Sequence, residues 1–491
     1  MIYNYLFKLL KSESFRFVFL KYLSFAILFI NVLILNTKLG LYYFGIYSFY
    51  KLLLSYSSYS NLGINYALNI LPSNKQNVSN KHICDLFTNS LFYSFILSLL
   101  SIGVFFFITE KYGYLEKFEV SSYFWCFAFI YIIRQFNIIF ISYNRLVDNI
   151  KLLNLNYLLP VSIELIFLCY TNAVGSELFI NILYLFGLSQ SMLLVSNLYF
   201  LFKSRFIPSK LYINYFFLKK SIHQLIYNLS FYGIWLTTRS CFSKYLTIED
   251  YSEFSFISSV VEALFLSTGA ITFLMLPKLL NKISNLKEYH SLLEMNKVYN
   301  STNSLLCVFG LLLIPFFNFL FPEYSQVDKY FCALLLAQFF LNSPFTFNTL
   351  FINKGKENVL TIIGVMVIAF FIVAAYFLLI NIGTLEPSYL LVIVIFMCFV
   401  YSSLVKIIAL RTYRMSKLNF NFLINEVFML QHISTISFVL ILSFLDSFNF
   451  YFVPVLILFH LIFNHKSISE IIKYIQKLLN NPKLLTLKIE E

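Results

Sequence analysis

The residues best able to do chemistry are five charged side chains inside otherwise apolar segments. Three are basic and two are acidic: Lys51, Arg134, Arg239, Glu164 and Glu262. A charge in the hydrocarbon layer of a membrane costs about 3 kcal/mol or more, so each side chain predicts a water-filled cavity or an ionic partner.

The three basic residues predict a site for an anionic group. Arginine binds phosphate oxygens through a planar, bidentate fork, and lysine binds them as a point charge. A cavity with Lys51, Arg134 and Arg239 would hold a pyrophosphate. Glu164 and Glu262 would either couple transport to an ion gradient by protonation or orient the basic residues. The alternative is structural: Arg134 with Glu164, and Arg239 with Glu262, would be ion pairs that hold neighbouring helices together.

No catalytic constellation accompanies these charges. The six histidines are scattered, without a carboxylate or cysteine at metal-ligand spacing: His82, His223, His290, His432, His460 and His465. No phosphate-binding loop of the Walker type is present. We therefore predict that the protein is not an enzyme and has no metal or other cofactor, apart from H⁺ or Na⁺ as a coupling ion.

The composition predicts an all-α polytopic membrane protein. The 491 residues are 59% hydrophobic and 12% charged, whereas soluble proteins carry about 25% charged residues. A bilayer core of about 30 Å requires roughly 20 apolar residues per helix. About 14 transmembrane helices are predicted, at 17–35, 42–61, 86–108, 121–142, 154–171, 178–202, 225–245, 254–276, 298–321, 330–351, 359–380, 389–410, 427–445 and 448–463.

The basic residues predict the orientation of these spans, because cytoplasmic loops are enriched in Lys and Arg. With a cytoplasmic N-terminus, and with lysines near the ends of spans counted in the adjoining loops, 28 of the 36 Lys and Arg residues fall on the inner side, five on the outer side and three within spans. Both termini are therefore predicted to be cytoplasmic.

Internal repeats predict two lobes of six helices each. Phe136 to Ile141 (FNIIFI) recurs 211 positions later as Phe347 to Ile352 (FNTLFI), at the end of the fourth span of each half. Such repeats are typical of transporters with two parallel halves. The predicted organisation is an N-lobe at 1–202, an inter-lobe linker at 203–224, a C-lobe at 225–410, two further spans within 411–465 and a cytoplasmic amphipathic tail at 466–491.

A run of tyrosine and serine at 56–60 in the second span has two interpretations. These side chains can hydrogen-bond sugar hydroxyls, and they can equally join transmembrane helices.

Two stretches of the first lobe resemble a known family. Residues 39–49 (LGLYYFGIYSF) and 59–64 (YSNLGI) are similar to the first loop and second span of bacterial polysaccharide flippases, the O-antigen translocases of the multidrug/oligosaccharidyl-lipid/polysaccharide exporter superfamily. Residues 251–256 (YSEFSF) and 276–279 (LPKL) of the second lobe show the same resemblance.

The resemblance implies a flippase that moves an undecaprenyl-pyrophosphate-linked oligosaccharide, the repeat unit of O-antigen or another surface polysaccharide, across the bacterial inner membrane. It implies alternating access around a cationic central cavity and ion coupling. The implied partners are this lipid-linked glycan, membrane lipids, and the polymerase and chain-length proteins of the same pathway, without nucleic acid.

Three other functions remain open from the sequence. A lipid II flippase shares the layout, as does a multidrug antiporter, although the latter usually uses acidic residues to attract cationic drugs. An O-antigen polymerase is also polytopic, but it would need a large external loop with Arg or His.

Overall fold

The computed structural model describes residues 13–65, 68, 80–147, 149–203, 215–283, 289–324, 326–382, 387–412 and 469. In these residues every regular element is a helix. Nine of the described helices are long and apolar enough to cross a membrane. The predicted all-α polytopic membrane fold is confirmed.

Contacts divide the chain into two compact units. Unit 1 comprises Met1–Leu229 and Arg239–Ser252, and unit 2 comprises Ser230–Thr238 and Glu253–Glu491. The helices Tyr215–Tyr245 and Ile248–Ile283 therefore contribute residues to both units.

The helices of the first half follow the predicted spans. They are α1 (Glu13–Ser60), α2 (Asn80–Lys111), α3 (Tyr114–Lys117), α4 (Val120–Leu146), α5 (Ile150–Tyr170) and α6 (Gly175–Lys203). The first two predicted spans both lie in α1, where the backbone turns at Gly40 with φ +69° and ψ 171°. A residue without a Cβ adopts this φ at little cost, so Gly40 marks the junction of the two spans.

The helices of the second half are more interrupted. They are α7 (Tyr215–Tyr245), α8 (Ile248–Ile283), α9 (Tyr289–Leu311), α10 (Ile314–Leu320), α11 (Val327–Asn342), α12 (Phe345–Asn353), α13 (Glu357–Ile382) and α14 (Pro387–Thr412). The ninth predicted span is divided next to Pro315 and the tenth at Ser343 and Pro344. At the second division Ser343 Oγ lies 3.0 Å from the Phe340 carbonyl oxygen, which Pro344 cannot bond.

The first twelve predicted spans all fall on helices. The two C-terminal spans at 427–445 and 448–463 lie outside the described residues, as does the amphipathic tail apart from Ser469.

Unit 1 is joined by buried amides as well as by apolar packing. Asn144 Nδ2 donates to Asn197 Oδ1 at 2.8 Å, and Asn197 Nδ2 donates to Asn156 Oδ1 at 3.2 Å. Asn137 Nδ2 donates to Gln190 Oε1 at 2.9 Å. These bonds connect α4, α6 and α5 where apolar side chains alone would give little directional specificity.

A corresponding polar contact occurs in unit 2. A side-chain hydrogen bond joins Asn348 of α12 to Tyr401 of α14. Asn348 and Tyr401 each lie 211 positions after Asn137 and Gln190, the offset at which the sequence motif repeats. The helix pair α4–α6 and the pair α12–α14 thus have matching polar contacts.

Candidate functional site

The candidate site in unit 1 is built around the carboxylate of Glu164. This residue lies in the interior of α5 and is buried. Asn31 Nδ2 donates to Glu164 Oε2 at 3.1 Å, and the Tyr47 hydroxyl donates to Oε1 at 3.4 Å. Both halves of α1 therefore contribute a hydrogen-bond donor to the same carboxylate.

Lys51 lies one helical turn after Tyr47 on α1. Its Nζ lies 4.7 Å from the ring centroid of Phe186 and 5.1 Å from that of Tyr47. Such cation–π contacts stabilise an ammonium group where water is scarce. Lys51 and Glu164 line a cavity of about 20 Å³, together with Tyr47, Tyr50, Leu54, Ile182, Leu183 and Phe186, and this volume holds one water molecule.

Arg134 brings a second positive charge to this neighbourhood. It lies on α4 and is half-buried. Both Arg134 and Glu164 act electrostatically on the Lys51 ammonium. Within the described residues Arg134 and Glu164 form no ion pair, and the side chains that donate hydrogen bonds to the carboxylate are Asn31 and Tyr47. The Arg134–Glu164 ion pair that the structural alternative requires is therefore absent from the described residues.

Arg239 and Glu262 are distributed over the two units. Arg239 lies near the end of α7, in the part that belongs to unit 1. Glu262 lies on α8 in unit 2, where the Trp235 indole Nε1–H donates to its carboxylate. The structure therefore brings Lys51, Arg134 and Glu164 together within unit 1, and within unit 2 it joins Glu262 to Trp235.

Among the described residues of unit 2, two buried charged residues were not singled out from the sequence, Glu253 and Lys406. Lys406 is counted among the inner-side basic residues, but it lies within α14 with 0% of its surface exposed. The signal was available, because position 406 falls inside the predicted span 389–410. The inner-side count of basic residues therefore includes Lys406, although the structure buries it within a helix.

The tyrosine and serine run at 56–60 mainly joins helices. Ser57 is fully buried and donates to the Leu54 carbonyl oxygen at 2.6 Å. Gln135 Nε2 of α4 donates to the Ser57 carbonyl oxygen and to Ser60 Oγ. These contacts favour helix packing over sugar binding at Ser57 and Ser60.

Among the residues that the structure describes, no group of three or more His, Cys, Asp or Glu side chains is placed to hold a metal ion.

No protein-family model and no curated protein matches the chain. Three solved transporter structures are similar. A multidrug resistance MATE family transporter of the MOP superfamily, in an outward-facing conformation, is 14% identical, covers 84% of this chain and 99% of its own, and has a TM-score of 0.49. A MOP superfamily transporter from Pyrococcus furiosus, described as having a binding pocket of reversed polarity, is 17% identical, covers 83% of this chain and 97% of its own, and has a TM-score of 0.49. A MATE protein in complex with MaL6 is 14% identical, covers 83% of this chain and 97% of its own, and has a TM-score of 0.42. At such identities and TM-scores, these similarities identify neither a family nor a cargo.

Proposed function

We propose that the protein is a flippase for a lipid-linked oligosaccharide whose head group is a pyrophosphate, and that it works by alternating access in the bacterial inner membrane with both termini in the cytoplasm. The observation that carries this proposal is the proximity of Lys51 and Arg134, two cations without an ion-paired acid among the described residues, in a membrane-spanning unit where Lys51 lines a small cavity.

The charge balance of this site supports an anionic cargo. Lys51 and Arg134 together outweigh the single carboxylate of Glu164, so the site carries a net positive charge when all three are ionised. Two cations in a membrane are costly unless an anion or water offsets them. A pyrophosphate is such an anion, because it offers several oxygens to both an ammonium and a guanidinium.

The need for a protein pathway follows from the cargo. A pyrophosphate and several sugars would each lose hydrogen bonds to water in hydrocarbon, at a cost of several kcal/mol per group. A polar pathway between helices removes that barrier while the polyprenyl tail remains in lipid.

Glu164 is the best candidate for ion coupling. A buried carboxylate that accepts hydrogen bonds from Asn31 and Tyr47, with Lys51 in electrostatic range, can exchange a proton or bind a monovalent cation. Either event would change the net charge that the cargo meets. In this proposal Arg239 supplies a further cation to the pathway, and Glu262 is a second candidate for the acid that couples transport to an ion gradient.

The test is a flipping assay in proteoliposomes. Undecaprenyl-pyrophosphate carrying a disaccharide with an NBD fluorophore is reconstituted with the protein, and dithionite then bleaches the label in the outer leaflet. We expect wild-type protein to make nearly all of the label accessible. Lys51→Ala and Arg134→Ala should each slow this exchange by about ten-fold or more, the effect of losing a hydrogen bond to a charged group.

Lys151→Ala is the matched control, because Lys151 is an exposed lysine in the first turn of α5. It should flip cargo at the wild-type rate. If wild-type protein leaves the label protected, the proposed function is wrong. Extrusion of ethidium by the same vesicles, without flipping, would favour a multidrug antiporter, and flipping restricted to lipid II would favour a lipid II flippase.

A further inference from the structure

The connection between α2 and α4, residues 112–119, lies firmly against α1. The Phe118 ring stacks on Phe49 with centroids 4.1 Å apart. The Tyr50 hydroxyl donates to the Glu119 carbonyl oxygen at 3.3 Å, and the Tyr42 hydroxyl donates to Glu119 Oε1 at 3.1 Å. This connection is therefore a packed part of unit 1.

The same connection caps the C-terminal end of α7 with one lysine. Lys117 Nζ donates to the carbonyl oxygens of Leu246 at 2.6 Å, Ser243 at 2.8 Å and Lys244 at 3.3 Å. The last carbonyls of a helix have no partner within it, and they carry the negative end of the helix dipole. The Lys117 ammonium bonds two of them and the Leu246 carbonyl one residue beyond the helix, so it attaches the two segments at three points.

Further contacts hold the Arg239–Ser252 segment, which contains the end of α7 and the start of α8. The Tyr56 and Ser240 hydroxyls are 2.6 Å apart, and Phe118 meets the Tyr251 ring edge-on at 5.7 Å. Gly45 of α1 packs so closely that an added Cβ would lie 2.5 Å from the Ile248 carbonyl oxygen. The segment is thus attached to α1 and to the α2–α4 connection together.

This attachment has a consequence for α7 and α8. Both helices continue from the Arg239–Ser252 segment into unit 2, at Thr238 and at Glu253. The segment also carries Arg239, one of the three basic residues predicted for the cargo pathway. Its attachment to unit 1 therefore fixes where Arg239 lies relative to Lys51 and Arg134.

We propose that residues 112–119 form a latch: Lys117 acts as a positioning residue that holds the Arg239–Ser252 segment on unit 1, and the latch opens when cargo passes. The second half of this statement rests on the proposed function, whereas the first half does not.

The chain offers a matched control for Lys117. Lys38 Nζ donates to the carbonyl oxygens of Leu168 at 2.8 Å and Thr171 at 2.7 Å, at the end of α5. Lys38 therefore provides the same kind of C-terminal helix cap within unit 1, but it does not touch the α7–α8 connection.

The latch is tested by distance measurement between nitroxide labels at Glu116 and Thr247, which are both exposed. The labels are attached to p-acetylphenylalanine, so the seven native cysteines remain unchanged. We expect one dominant short distance in the wild-type protein. Lys117→Met should lower the ratio of short to long distances about ten-fold. Lys117→Arg should restore the short distance, and Lys38→Met should leave it unchanged.

The opposite results would overturn the latch. An unchanged distance distribution in Lys117→Met, or an equal shift in Lys38→Met, would mean that Lys117 does not specifically bind the Arg239–Ser252 segment to unit 1. If Lys117→Met does not fold, Tyr56→Phe serves the same measurement, because it removes one hydroxyl and keeps the ring. A smaller shift toward long distances is then expected, and no shift contradicts the proposal.

The opening step is tested by adding the NBD-labelled undecaprenyl-pyrophosphate disaccharide to the doubly labelled protein. A cargo-dependent rise in long distances supports opening during transport, and its absence overturns that step. Because the measurements without cargo do not depend on flipping, failure of the latch and failure of the proposed function can be told apart.

Discussion

At the scale of single residues, the candidate site combines charges that are expensive in a membrane with contacts that reduce their cost. The Lys51 ammonium faces two aromatic rings, and the Glu164 carboxylate accepts hydrogen bonds from Asn31 and Tyr47. Each contact stabilises the charged form without cancelling it, as a tight ion pair would. The site therefore keeps charges that can respond to a cargo or to an ion.

Replacing Glu164 with Gln tests its role in coupling. Glutamine keeps an oxygen for Asn31 and a polar group near Tyr47, but it cannot ionise. We expect Glu164→Gln to retain its fold and to lose the acceleration of flipping that an imposed proton or sodium gradient gives the wild-type protein. Flipping rates with and without each gradient measure this. Glu177→Gln, at an exposed acid in the first turn of α6, should respond as the wild-type protein does. A gradient response in Glu164→Gln would exclude it as the coupling acid.

At the scale of helices, buried amides determine how the elements of unit 1 pack. Apolar side chains gain little from contact with one another rather than with lipid, so hydrogen bonds and close packing carry more of the specificity in membrane proteins. The chain of hydrogen bonds from Asn144 through Asn197 to Asn156 links α4, α6 and α5. Asn197 is its central residue, because it both accepts and donates.

We expect Asn197→Leu to destabilise the protein by about 1 to 2 kcal/mol, since it removes two interhelical hydrogen bonds and leaves buried partners unsatisfied. Thermal unfolding in detergent should show a lower midpoint. Ser196→Ala is the neighbouring control: its hydroxyl bonds only the Met192 carbonyl oxygen of its own helix, at 2.8 Å, in an exposed position. Equal midpoints for Asn197→Leu and the wild-type protein would show that these hydrogen bonds contribute nothing measurable.

At the scale of the whole molecule, the distribution of charge predicts how the protein lies in the membrane. Most basic residues fall on the side predicted to be cytoplasmic, and moving Lys406 from a loop into α14 changes that balance by one charge only. The latch and Lys38 then fall on the outer side, and the N-terminal end of α5 falls on the inner side.

Introduced cysteines report this orientation. In a Cys169→Ser background, which removes the exposed native cysteine, Glu116→Cys should react with a membrane-impermeant maleimide in intact cells. Lys151→Cys should react only after the membrane is permeabilised, because it lies at the predicted inner end of α5. The reverse pattern would invert the topology and would place the latch in the cytoplasm.

Much of the helical architecture could be predicted because membrane spans are local features of the chain. A run of about 20 apolar residues must form a helix in lipid, where backbone groups can be satisfied only within the segment. The twelve spans that fall on described helices follow from this constraint, and Gly40 and Pro344 mark where helices bend or end. The presence of charges at Lys51, Arg134 and Glu164 was equally visible.

The partners of those charges required the tertiary structure, because they come from residues far apart in sequence. Composition cannot reveal that Glu164 is bonded by Asn31 and Tyr47 rather than by Arg134, nor that Lys51 rests on Phe186. Lys117 lies in a predicted loop, and only the fold shows that it donates hydrogen bonds to carbonyl oxygens at the end of α7. The sequence determined which segments cross the membrane, since that depends on the hydropathy of each segment alone. The tertiary structure decided which side chains meet, since that depends on how helices distant in the chain pack together.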